Sequence, residues 1–245
     1  MNKFVVILLV VSISLLCSCL KDDSPKVEYY VGAAVVKNMT SGKPIVEVLN
    51  DVILNVPGLS GENLESGDLL WAKMFIEDDK QTNKDTIFVS AVTYRQIGKS
   101  LAIPVAETAS EYACAINRAL MWRNHAGNFW VFEFEQSAPE EQTFDYEMQF
   151  GVEDGDSYPT VYLRSRKTNT VNGSAKQVVT NFGFDLTPLI EVYANEKTNT
   201  LTFRVKYLTG FDAQGEEMFT SFQQNPVSVK VEKAEKIEPA TENFQ

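Results

Sequence analysis

Between positions 201 and 208 (LTFRVKYL) apolar and polar side chains alternate without a break, so Leu201, Phe203, Val205 and Tyr207 share one face of an extended strand. On a helix the same four would scatter around the axis. Looser versions of this pattern recur along the chain. They occupy residues 29–36 (YYVGAAVV), 45–56, 69–76 (LLWAKMFI), 86–97 (TIFVSAVTYRQI), 117–122, 128–134, 144–152, 158–165 (YPTVYLRS), 177–186 and 227–231. Each run is rich in β-branched and aromatic residues and is bounded by Gly, Asn, Asp or Pro, which reads as strand and turn. The run at 45–56 divides near Asn50-Asp51 and ends at Pro57-Gly58, and Gly67-Asp68 precedes the run at 69. Helical spacing is best at 107–119, where Ala109, Tyr112, Ala113, Ile116 and then Leu120 recur near 3.6 residues, and a shorter helical turn fits 188–194. The sequence therefore predicts an all-β chain with at most one or two short helices.

The N-terminus is read separately. Met1, Asn2 and Lys3 give a positive start, and residues 4–16 (FVVILLVVSISLL) are apolar apart from two serines. This run falls short of the roughly 20 residues of a permanent span. The stretch Leu16-Cys17-Ser18-Cys19 resembles the bacterial lipobox. Cleavage before Cys19 presents small Ser18 to the protease, whereas cleavage before Cys17 presents bulky Leu16. Residues 1–18 are thus a signal peptide, with Cys19 as the lipidated first residue. The resemblance implies two or three acyl chains at Cys19, and about 0.8 kcal/mol per buried methylene makes them a stable bilayer anchor. Lys21, Asp22 and Asp23 follow at once and resemble the surface-export signal of Bacteroidetes lipoproteins, which implies the outer face of the outer membrane. Residues 19–27 read as a tether.

Composition narrows the function classes. The net charge is −11 and becomes one unit more negative once Lys3 is removed, so the chain lacks the basic footprint of a nucleic-acid binder. Past Cys19 the only cysteine is Cys114, so no intrachain disulfide forms, and stability must come from an apolar core.

The order of elements is similar to that of the NigD-like lipoproteins of Bacteroidetes. The likeness is carried by residues 49–54 (LNDVIL), 66–72 (SGDLLWA) and 87–103, then by Trp122 with 127–134 (GNFWVFEF), 158–164 and 182–188 (FGFDLTP). Residues 49–51 (LND) depart from the Asp-Asp-Gly more usual in the family. The resemblance implies an OB-fold-like barrel over 28–106, a β-sandwich over 107–232 and a polar tail at 233–245. The family name comes from a bacteriocin locus, which implies an immunity role as one expectation.

No catalytic constellation is legible. Nucleophilic catalysis needs a Ser or Cys beside a general base, and the single histidine, His125, reads as a hairpin tip. Cys114 sits among small residues as a packed thiol. Glu133 and Glu135 share one strand face and read as a solvated acidic edge rather than a glycosidase pair. Asp78-Asp79 and Glu153-Asp154-Gly155-Asp156 lack the full calcium-loop spacing. The aromatics Trp122, Phe129, Trp130, Phe132 and Phe134 read as core, and an exposed Trp130 would shift them toward sugar stacking. Asp85-Thr86-Ile87 resembles an O-glycosylation site at Thr86. No catalytic, cofactor or metal residues are assigned. The expectation is a non-enzymatic surface lipoprotein with a protein or glycan ligand. The alternative is a glycan-binding accessory lipoprotein of a polysaccharide-utilisation system.

Overall fold

A computed structural model of the chain describes residues 27–39, 44–48, 52–77, 87–106 and 110–231. The first five strands are β1 (Val27–Asn38), β2 (Ile45–Val48), β3 (Val52–Asn55), β4 (Leu69–Glu77) and β5 (Ile87–Gln96). They close into an OB-fold-like barrel in the order β1-β2-β3-β5-β4. The length of β1 makes closure possible. Val27 to Val35 pair with β4, Val35 to Asn38 pair with β2, and a bulge between Val36 and Asn38 bends the strand. Alternation then turns Ala34, Val36, Val46, Leu54, Leu70, Ala72 and Met74 inward, where they are buried. A 3-10 turn at Pro57–Leu59 adds Leu59, fully buried, to the same core.

The chain leaves β5 and, after Ile97, enters the second unit at once. Here β6 (Gly98–Leu101), β12 (Lys176–Asp185), β9 (Phe129–Ala138) and β8 (Arg118–Ala126) form one sheet in that order. The facing six-stranded sheet runs β14 (Glu217–Ser221), β13 (Thr200–Phe211), β11 (Pro159–Lys167), β10 (Phe144–Val152) and β7 (Ile103–Pro104), with β15 (Val227–Lys230) also on β13. Between the sheets lie Phe132, Phe134, Phe184 and Phe203, all fully buried. Phe134 stacks on Tyr146 with centroids 4.1 Å apart. The polar groups that enter this core beside Tyr146 are satisfied. Tyr146 Oη donates to Gln136 Oε1 (2.8 Å), and Gln136 Nε2 donates to Ser165 Oγ (2.8 Å).

The short helix expected at 188–194 forms as α1 (Thr187–Tyr193). Pro188 suits its first turn, where no N–H is needed, and Asp185 Oδ1 accepts the Thr187 N–H (2.9 Å). Leu189 and Ile190 turn into the sandwich core.

Three expectations are corrected. Residues 110–117 are not helical, and 118–120 belong to β8. Cys114 N–H donates to Ser165 O and Ile116 N–H to Leu208 O, both at 2.8 Å. The segment thus bridges β11 and β13 beyond the point where their own pairing ends at Leu163 and Tyr207. Ladder bonds of this kind override a weak helical preference. Secondly, β6 and β7, read as part of the barrel unit ending at 106, pair with β12 and β10 of the sandwich. Thirdly, β8 runs on to Ala126, so His125 lies level with Trp130 in the ladder and the turn is Gly127-Asn128. The strand β14 was not anticipated from the sequence at all.

Barrel and sandwich meet along an apolar seam of Ala33, Val35, Leu69 and Ile97 from the barrel and Ala126 and Val131 from the sandwich. Gly183 makes the close approach possible, because a Cβ there would stand 2.0 Å from Leu69 Cδ2. Beside the seam Glu47 is buried, with Lys37 Nζ 2.5 Å from its Oε2. The contact is one of charge rather than alignment, since Oε2 makes no hydrogen bond. Gly127, at φ 54°, passes over the same carboxylate.

Candidate binding ledge on the barrel

The outer face of β1, β4 and β5 is built in rows by strand register. Val35 and Leu69 lead to Ile97; Ala33, Trp71 and Arg95 form the next row; Val31, Lys73 and Thr93 form the third. The sandwich covers the first row and the Ala33 end of the second. Beyond it the face is open. Val31 is 46% exposed, Lys73, Thr93 and Arg95 are exposed, and Trp71 is half-buried because one side packs on the seam. Val31, Trp71, Lys73, Thr93 and Arg95 line a shallow groove of about 270 Å³. Lys73 Nζ also lies 5.0 Å from the centre of the Phe75 ring, which extends the apolar floor. Side chains at 69, 71, 73 and 75 all face out, so the run LLWAKMFI is apolar on both faces for two reasons. Its even positions fill the barrel, and its odd positions pave seam and ledge.

A second polar region covers the outer face of the six-stranded sheet. Arg164, only 7% exposed, donates through Nε and Nη2 to the two oxygens of Glu217 (3.0 and 2.7 Å) and through Nη1 to Gln149 Oε1 (2.8 Å). Its guanidinium stands over the rings of Tyr162 and Phe219. Glu153 accepts from Lys206 Nζ and Tyr162 Oη, both at 2.5 Å. The Lys206 hydrogen bond, followed by that of Tyr162, holds the Glu153 carboxyl below its ordinary pKa; burial and the Glu153 charge push Tyr162 up. Arg204 pairs with Asp156 at 3.3 Å. Acid and base match along this face, so it is a self-compensated clamp rather than a surface seeking a charged ligand.

No family model matches the chain, and no curated protein matches it either. Solved structures do. An uncharacterised protein from Parabacteroides merdae superposes with a TM-score of 0.65 at 14% identity, over 83% of this chain and 100% of that one. A protein from Bacteroides fragilis named as a lipoprotein gives 0.54 at 11% identity, over 85% and 100%. A NigD-like immunity protein from Bacteroides caccae gives 0.50 at 12% identity, over 80% and 92%. The fold is NigD-like.

Within this NigD-like fold the residues singled out from sequence are dispersed. Trp130 is 5% exposed and meets Phe203 edge-on at 5.7 Å, so its ring belongs to the core and offers no sugar platform. Phe132 and Phe134 are fully buried beside it. Glu135 pairs with exposed Arg118 (3.4 Å), and Glu133 sits across from Asn181 in the ladder. Cys114 is half-buried in its bridge to Ser165. The acidic loop at 153–156 is engaged by Lys206 and Arg204 of β13. Cys19, Lys21, Asp22, Asp23, Asp78, Asp79 and Thr86 lie outside the described residues. Among the described residues no group of three or more His, Cys, Asp or Glu is placed to hold a metal ion. The ledge itself was missed from sequence; its signal was Lys73 interrupting an apolar strand.

Proposed function

We propose that the chain is a lipid-anchored, non-catalytic binding protein of the cell envelope, with the barrel ledge as its binding face. On this reading acylated Cys19 holds it in the outer membrane, and Lys21, Asp22 and Asp23 direct it to the outer surface. The observation that carries the binding role is the ledge. It is an apolar strand face, continuous with the seam, left uncovered and flanked by the exposed cations Lys73 and Arg95. Open apolar surface with a polar rim marks interaction sites. Glu133 and Glu135, read from the sequence as a solvated acidic edge rather than a catalytic pair, lie on one strand, with Glu135 paired to exposed Arg118. The shared fold with a protein named as a lipoprotein supports the anchor, and that with a NigD-like immunity protein keeps a toxin-directed role in view. The second reading, a glycan-binding accessory lipoprotein, is favoured by Trp71 on the ledge.

The anchor is tested by feeding labelled palmitate to expressing cells. The wild-type chain takes up label and sediments with outer membranes, whereas Cys19→Ala is unlabelled. Label that persists in Cys19→Ala overturns the anchor. Protease added to intact cells digests the wild-type chain, and replacing Lys21, Asp22 and Asp23 together by Ala makes it resistant; equal digestion of both rejects the export signal.

A further inference from the structure

We infer that the free edge of β14 pairs with the same edge of a second copy of this chain, joining their six-stranded sheets across a two-fold axis at Phe219. The first ground is the direction of the main chain. In an antiparallel strand the N–H and C=O of one residue lie on the same side, and successive residues alternate. Phe222 N–H donates to Val205 O (2.9 Å), and Glu216 O accepts from Asp212 N–H (2.9 Å). Met218 O accepts from Thr209 Oγ1 (3.0 Å). Residues 216, 218 and 222 therefore face β13. Glu217, Phe219 and Ser221 aim their polar groups the other way, where no described strand pairs with β14.

The second ground is that this edge lacks the devices that discourage strand addition. β7 is two residues long and contains Pro104, and β6 is four residues long with Lys99. β15 follows Pro226 and ends at Lys230, and β8 shifts register between Met121 and His125. β14 has five residues, with no Lys and no Pro, and the extra residue of its ladder, Thr209, lies on β13. Its one charge, Glu217, is neutralised by Arg164 at 3.0 and 2.7 Å. Met218 is 45% exposed, and Thr220 and Ser221 are exposed.

The third ground is self-complementarity, which selects a second copy over a foreign strand. A copy turned about Phe219 sets its Ser221 against Glu217, its Phe219 against Phe219 and its Glu217 against Ser221. Each facing pair exchanges two hydrogen bonds, so every outward N–H and C=O of both strands is satisfied. No like charges meet. The two Phe219 rings, each edge-on to its own Tyr162 at 5.2 Å, form a cross-strand aromatic pair, and Met218 meets Thr220 of the copy on the opposite face. A foreign strand has to match this pattern, whereas a copy does so by symmetry. One five-residue ladder buries less than a permanent dimer needs, and the net charge of −11 opposes approach, so the pairing is reversible.

The test is sedimentation velocity of the full mature chain, made non-lipidated by Cys19→Ala, at loadings up to about 100 μM. The chain is kept reduced so that Cys114 forms no cross-link. The wild type is expected to pass from monomer to dimer as the loading rises. Ser221→Pro removes an outward N–H and no bond to β13, so the fold is kept and the dimer weakens about tenfold or more. Charge reads the register. Ser221→Glu sets a carboxylate against Glu217 of the copy and weakens the dimer, whereas Ser221→Lys leaves it as tight or tighter. An unchanged far-UV spectrum in these two variants shows that the fold is intact, and they decide the matter if Ser221→Pro misfolds. A wild type that stays monomeric at every loading overturns the proposal and leaves the edge to a foreign strand. A dimer that folded Ser221→Pro does not weaken is held elsewhere and overturns it too. Equal weakening by Ser221→Glu and Ser221→Lys rejects the two-fold register and the proposal with it.

Discussion

Gly183 and Asn181 are neighbours on the outer face of β12 and have opposite relations to stability. Gly183 is required by contact: an added methyl group meets Leu69 Cδ2, which is fully buried and would have to shift. Gly183→Ala is expected to destabilise the chain by about 1–3 kcal/mol, the range for an overpacked site, as read from urea unfolding. Asn181 is only 5% exposed, and its Oδ1 accepts no hydrogen bond. An orphan buried acceptor costs about 1–3 kcal/mol, so Asn181→Leu is expected to raise stability by about 1 kcal/mol. A fall instead would show that the acceptor is satisfied by bound water. Neither property was legible from sequence. Both residues sit in an ordinary strand pattern, and what distinguishes them is the barrel lying against that strand.

Strands were legible where one face meets solvent and the other the core, as in β13, because alternation then writes burial directly into the chain. They were less so where tertiary contacts decide. Residues 110–117 carry helical spacing yet serve as a bridge between β11 and β13, and β14 lies on exposed residues with no alternation to mark it. The polar face over β11, β13 and β14 carries the pH response. Glu153, with its pKa lowered by Lys206 and Tyr162, contributes stability that is present above the ordinary carboxylate value and is lost as pH falls through its own lower value. Thermal midpoints of the wild type should therefore drop on acidification below about pH 4.5, more steeply than those of Glu153→Gln. Tyr146, pushed up to about 12 mainly by burial, acts at the other limb. Its contribution is complete below about pH 10 and is lost as pH rises toward 12, so Tyr146→Phe should flatten the alkaline decline.

For the molecule as a whole, the seam couples the two units. The single residue Ile97 separates β5 from β6, and its own side chain is part of the seam. A connection so short, over a packed apolar interface, leaves no independent hinge. Unfolding followed by far-UV circular dichroism and by tryptophan fluorescence should give one coincident transition; two separated midpoints would show that the seam is weak. The two-unit order was anticipated from the sequence, but the crossing point was not. Residues 98–104 look like more barrel strand, and only their partners, β12 and β10, assign them to the sandwich.

The length of β1 also has a mechanical meaning. β1 is the first strand of the barrel, so on the proposed lipid anchoring a pull from the membrane enters the fold at Val27. From there it runs along a strand held to β4 across Val27–Val35 and to β2 beyond. A load applied along the strand shears these ladders, and many hydrogen bonds share it side by side instead of peeling one after another. Resistance to such a pull is set by the rate of unfolding rather than by equilibrium stability. On the proposed lipid anchoring, the strand that closes the barrel doubles as the cleat to which a leash is tied.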